Sequence, residues 1–189
     1  MSILTAAQVE ADVNYLMESL DVNKRLIPSA SELLKKSTAI PLLAIVLSFF
    51  STILFYVSSE WNEKTIAGFF HFFTNEAWVV VAPCVVIGLV FIVFSYNQLM
   101  MYLSVPEDVR NTSFILNHLR KVTSRVGSTF IGLMICAVFL TPLSPWFACA
   151  IPGLLFALIF AVGFIVGGEI NRLGTGMALE KISNLLKKI

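Results

Sequence analysis

KKSTAIPLLAIVLSFFSTILFYV, residues 35–57, opens with two lysines and then runs to Val57 without another charge. The stretch from Ala39 to Val57, at about 1.5 Å per residue in a helix, crosses most of a hydrocarbon core roughly 30 Å thick. Lys35 and Lys36 mark the headgroup level, and Pro41 lies in the first turns, where a proline is tolerated. Three more apolar runs follow, at 78–96, 127–141 and 146–168. The expected fold is an all-α polytopic membrane protein of four transmembrane helices arranged as two hairpins.

The thirteen basic residues orient these runs. Lys24, Arg25, Lys35 and Lys36 precede the first run, and Lys64 alone lies between the first and second. Arg110, Arg120, Lys121 and Arg125 fall between the second and third. None lies between the third and fourth, and Arg172, Lys181, Lys187 and Lys188 follow the last. Lys and Arg resist translocation, so rich and poor loops alternate across a membrane. Both termini and the 97–126 loop are expected to be cytoplasmic, with two hairpin tips outside. Residues 1–37 then form a cytoplasmic amphipathic region, 38–168 the membrane domain, and 169–189 a cytoplasmic amphipathic tail.

Composition agrees. Mean hydropathy is +0.84, and charged residues are 13% of the chain, about half the usual share in soluble domains. A formal net charge of +1 gives no reason to expect nucleic acid. The polar, mixed-charge start does not read as a cleavable signal peptide, so the first span is expected to serve as its own insertion signal. Cys84, Cys136 and Cys149 lie inside apolar runs without paired spacing and read as small packing residues.

The cytoplasmic elements carry the clearest local signals. Thr5 with Gln8 makes a capping box, and Val9, Val13, Leu16 and Leu20 recur on one helix face, with Glu10, Asp12 and Glu18 elsewhere. That face either packs on the protein's own cytoplasmic side or docks a partner. Asp21 to Arg25 reads as a turn, and Ser29 with Glu32 as a second capping box starting the helix into span one. Ser104-Val105-Pro106-Glu107 is a third start signal, predicting a helix over 106–126 with Val109, Leu116, Leu119 and Val122 near one face. Residues 178–189 predict an amphipathic tail at the cytoplasmic surface. Asn111-Thr112-Ser113 matches a glycosylation sequon, but on the cytoplasmic side it has no meaning.

Outside, residues 58–77 are expected to form the larger loop. Trp61, Phe69, Phe70, Phe72, Phe73 and Trp78 read as interfacial anchors in an aromatic belt. Pro142 to Pro145 is a tight turn that leaves the second hairpin almost no external surface.

The expected spans hold no ionisable side chain well inside the hydrocarbon region except cysteine, and Glu169 lies at the exit of the fourth. Ion and proton pathways usually need such groups, and a uniformly apolar span does not line a pore. No phosphate-binding loop, HExxH, Cys-x-x-Cys or Gly-x-Ser-x-Gly pattern occurs, and His71 and His118 are expected on opposite sides. No enzyme activity, cofactor or metal is therefore expected. Small residues instead recur four apart: Ala44, Ser48 and Thr52 in the first span, and Ser128, Gly132 and Cys136 in the third. The fourth has Gly153, Ala157 and Ala161, then Gly163 and Gly167. Such faces let helix backbones approach, within the bundle or in a homo-oligomer.

In layout, with a polar amphipathic start leading through Ile27-Pro28-Ser29 into the first membrane helix, the chain resembles the TraS-type exclusion proteins of F-like conjugative plasmids. The resemblance implies a recipient-cell protein of the bacterial inner membrane that blocks redundant plasmid DNA transfer by recognising the donor's TraG protein. It implies no catalytic residues. Recognition would then fall on the N-terminal helix and the middle loop. The rival readings are an accessory or assembly subunit of a larger membrane complex, and a small pore-forming protein.

Overall fold

The computed structural model describes residues 6–19, 27–59 and 64–172. Leu20, Trp61 and the amphipathic tail over 178–189, all singled out from the sequence, lie outside the described residues. Within them the fold is all-α: α1 (Ala6–Ser19), α2 (Ala30–Ser58), α3 (Ile66–Phe72), α4 (Trp78–Leu103), α5 (Glu107–Thr112), α6 (Phe114–Leu140) and α7 (Trp146–Arg172). A single π-helical turn, Phe73–Ala77, joins α3 to α4. Four helices are long and apolar enough to cross a membrane: α2, the continuous α3–α4 rod, α6 and α7. The chain is a multi-pass membrane protein.

The bundle is built small-side-in. The buried face of α2 is Leu33, Ser37, Pro41, Ala44, Ser48, Ser51, Thr52 and Tyr56, which recur at helical spacing with Ser51 and Thr52 adjacent. Its large side chains, Leu42, Leu43, Val46, Phe49 and Phe50, are exposed. Water would penalise that arrangement. Lipid does not, because its tails are as apolar as leucine, so close packing and hydrogen bonding decide what faces inward. Phe139 at 71% and Phe164 at 78% exposure show the same rule on α6 and α7.

Helix α2 packs most extensively on α4, and α6 on α7, which makes two antiparallel hairpins. Their shared core is Ala44, Cys84, Phe91, Met134, Ala137, Val138, Ile151, Leu155 and Leu158. One buried hydrogen bond ties the hairpins together, Ser51 Oγ to Thr141 Oγ1 at 2.7 Å. Thr141 donates its single proton to the Ala137 carbonyl at 3.0 Å, so Ser51 is the donor in the pair.

Helix starts follow side-chain caps. Ser29 Oγ accepts the Glu32 N–H at 3.2 Å. Glu32 turns its own carboxylate to Lys36 at 2.7 Å instead of reaching back to Ser29. Thr65 Oγ1 accepts the Gly68 N–H at 3.1 Å and starts α3.

Two expectations need correction. Residues 58–77 are not simply a loop, because helix begins at Ile66, ahead of Trp78, and continues to Leu103. The π turn at 73–77 adds a residue to one turn and shifts the helical register, which breaks the periodicity that would have joined α3 to α4. Residues 106–126 are not one helix either. The chain breaks at Ser113, whose φ/ψ of −64°/125° are extended, and α6 then runs unbroken from Phe114 to Leu140. Pro106 occupies the cap position of α5, without a side-chain cap bond.

Candidate functional site: a helix docked on the basic end of the bundle

The start of α2, the end of α4, α5, the start of α6 and the end of α7 share one end of the molecule, where the described basic residues other than Lys64 also lie. Helix α1 docks there. Val9, Val13 and Leu16 repeat at helical spacing and are buried, at 7%, 7% and 2% exposure. Val9 and Val13 pack with Ile115 and Leu119. Leu16 packs with Val105 and Val109, against Met101 and Leu116. Residues read from the sequence as a partner-binding face, Val9, Val13, Leu16, Val109, Leu116 and Leu119, thus meet one another. Of the two uses open to that face, packing on the chain itself is the one displayed, so in this conformation these side chains are not open to a partner.

Polar contacts lock the arrangement. Asp12 Oδ2 accepts from Ser113 Oγ at 2.8 Å. The same oxygen accepts the Ile115 backbone N–H at 2.9 Å. Ser113 Oγ in turn accepts the Leu116 N–H at 3.3 Å. The first turn of a helix has N–H groups with no partner inside the helix, and its dipole attracts negative charge. Asp12 supplies both needs of α6 from 101 residues away in the chain.

Further charged groups lie at this end. Glu169 Oε2, on the last turns of α7, is 2.9 Å from Arg172 Nη2. It is also 3.3 Å from His118 Nε2 on α6. Arg110 sits over the Tyr102 ring at 5.3 Å, a cation–π distance. Next to His118, a shallow depression of about 400 Å³ is lined by Asn117, Arg120, Lys121, Ser124 and Arg125.

At the opposite end the aromatic residues divide into two roles. Phe69, Phe72 and Phe73 stack against Phe49, Phe55 and Tyr56 with ring centroids 5.4–6.1 Å apart, fastening α3 along α2. Tyr56 donates to the Thr65 carbonyl at 3.0 Å. Phe70 and Trp78 point outward, at 64% and 52% exposure, as interfacial anchors would.

The small-residue faces are rearranged relative to expectation. In α2, Ala44, Ser48 and Thr52 are buried in the bundle. Ser128, Gly132, Cys136, Gly153, Ala157 and Gly163 are exposed, and Ala161 and Gly167 are half-buried. A Cβ added at Gly132, Gly153, Gly163 or Gly167 would meet nothing within 4 Å, so these glycines do not bring bundle helices together. The glycine that does is Gly88. A Cβ there would lie 3.3 Å from Pro41 Cβ, and its close approach lets α4 pass the proline ring of α2. The sequence reading did not single out Gly88, although Cys84, itself a small residue, stands four positions before it.

Among the described residues no group of three or more His, Cys, Asp or Glu could hold a metal ion. No family model, no curated protein and no solved structure matches the chain.

Proposed function

We propose that this chain is a non-catalytic recognition protein of the bacterial inner membrane, with cytoplasmic termini. On this reading it acts in conjugative exclusion, blocking redundant plasmid transfer by recognising the donor's TraG protein. The observation that carries a recognition role is the Asp12 latch onto Ser113 and Ile115, which joins α1, α5 and the start of α6 into one platform. A partner reading that platform meets its polar outer face, because the apolar faces are turned onto each other. Glu10, Asn14, Tyr15 and Glu18 of α1 and Glu107, Asp108 and Asn111 of α5 are exposed on it. Four of these seven are acidic, so a basic partner surface is the complement.

The test is a mating assay with recipients expressing only this chain. Exclusion of an F-like donor, lost on Glu10→Lys with Glu18→Lys while the protein stays in the membrane, is the expected result. Undiminished transfer from every F-like donor removes the exclusion reading.

A second reading, an accessory or assembly subunit of a larger membrane complex, is favoured by the outward small residues Gly132, Gly153 and Gly163, which are open to another helix. Purification from the native membrane separates the two. A stoichiometric partner from the same cell supports the subunit; isolation as a single species supports exclusion.

A further inference from the structure

We infer that the depression at Asn117, Arg120, Lys121, Ser124 and Arg125 is a binding site for the phosphodiester headgroup of an anionic phospholipid. The five residues fall at i, i+3, i+4, i+7 and i+8 on one face of α6, so their side chains converge on one strip. Orientation alone accounts for basic residues being at this end. It does not account for three of them sharing a single depression with no carboxylate among its described lining residues.

Three of the four other described Lys and Arg residues at this end show the contrast, while Lys35 stands alone outside the depression. Lys36 is paired with Glu32 at 2.7 Å, Arg172 with Glu169 at 2.9 Å, and Arg110 lies over Tyr102. Arg120, Lys121 and Arg125 are exposed and make no ion pair among the described residues. Ser124 adds a hydroxyl donor between them.

Depth selects the ligand. At about 1.5 Å per residue, Arg125 lies about 22 Å and Arg120 about 30 Å along α6 from Leu140, at the opposite end. With a hydrocarbon core roughly 30 Å thick, the three heads reach phosphate level, the long side chains laying their stems along the boundary. Arginine matches two phosphate oxygens with its paired N–H groups, and lysine adds a point charge. A zwitterionic lipid carries its own cation beside the phosphate, whereas three cations with no ion pair among the described residues favour a headgroup with net negative charge. This inference is independent of the conjugation reading.

The test uses the full chain in phosphatidylcholine nanodiscs with a minor share of phosphatidylglycerol, and native mass spectrometry of the lipids that stay bound. Wild type should retain phosphatidylglycerol preferentially. Removing charge at about fivefold per basic residue, the Arg120→Gln, Lys121→Gln, Arg125→Gln triple variant should weaken retention about 100-fold. Arg120→Gln alone, which keeps two of the three charges for membrane insertion, should weaken it about fivefold. Lys35→Gln with Lys64→Gln, a control of similar charge loss elsewhere, should leave the preference unchanged. An unaltered preference in the triple and single variants, or an equal loss in the control, overturns the site. Displacement of the lipid by millimolar inorganic phosphate overturns the lipid assignment in favour of a free anion.

Discussion

Asp12 caps the helix that Ser113 begins: one carboxylate oxygen takes the Ser113 hydroxyl at 2.8 Å and the Ile115 N–H at 2.9 Å. The bond joins the first helix of the chain to the start of the third membrane helix. It also fixes the direction in which α1 lies, since its apolar stripe alone would tolerate sliding along Ile115 and Leu119.

Asp12→Ala should therefore release α1 before it disturbs the bundle. Loss of a charged acceptor and a helix cap together costs roughly 1–3 kcal/mol. Hydrogen exchange should rise in 6–19 and at 113–116 and stay unchanged in 127–140 and 146–168. Uniform exchange changes across all segments, or none, would show that Asp12 does not hold the platform.

Gly88 and Gly163 should respond oppositely to the same substitution. Gly88→Leu drives a side chain into Pro41 and should destabilise the bundle by about 1–3 kcal/mol, as overpacking does. Gly163→Leu meets open space and should leave the melting temperature of the monomer in detergent unchanged. If Gly163→Leu lowers it as much as Gly88→Leu, the outward face is packed against something in solution, and a second copy of the chain is then the first candidate to weigh by size.

The Ser51–Thr141 bond can be measured by a double-mutant cycle with Ser51→Ala and Thr141→Val. Interhelical hydrogen bonds in membrane proteins couple by about 0.6 kcal/mol on average, because the separated helices also find partners. A coupling of that size is expected from thermal or denaturant unfolding. Additive single variants would mean that α2 and α6 are held there by packing alone.

Glu32 should titrate below the ordinary carboxylate range, through its hydrogen bond to Lys36, then the Lys36 charge and, more weakly, Arg110. A depressed folded-state value favours the fold above the ordinary carboxylate pKa, and this contribution is lost as pH falls through the lowered one. Lys36→Met should raise the Glu32 titration midpoint toward the ordinary value, read by NMR of labelled glutamate. A midpoint that does not move would assign the shift elsewhere. Because Glu32 is an exposed surface group, global stability should scarcely change.

Much of the architecture was legible in the chain, and the reasons are local. A run such as Ala39–Val57 needs only its own length and apolarity to be a membrane helix, since every backbone group is satisfied within it. Ser29 announced the start of α2 through a cap three residues long. Where these local rules were interrupted, the reading failed. The π turn at 73–77 disguised the extension of the second membrane helix back to Ile66, and the break at Ser113 looked like one more serine within a helical pattern.

The candidate site was legible only in parts. The stripe Val9, Val13 and Leu16 and the stripe Val109, Leu116 and Leu119 could each be read as a sticky face, but that each is the other's partner is a relation across about a hundred residues. Periodicity reports which face of a helix is apolar, never what covers it. Small residues carried the same ambiguity: Ala44, Ser48 and Thr52 point inward while Gly132, Gly153 and Gly163 point outward, and spacing is identical in both cases.

By itself the sequence determined that the chain is helical, how many helices are long and apolar enough to cross a membrane, and at which ends the basic residues gather. Those properties follow from transfer free energies and charge, which sum along the chain without regard to distant neighbours. Only the tertiary structure decided that Asp12 caps α6, that Gly88 rather than Gly163 brings helices together, and that Arg120, Lys121 and Arg125 share a depression with no carboxylate among its described lining residues. The first two are meetings between different helices, and the third depends on what lies beside one face of α6. In lipid, where no hydrophobic force singles out a face, shape and hydrogen bonding choose among several equally apolar ones.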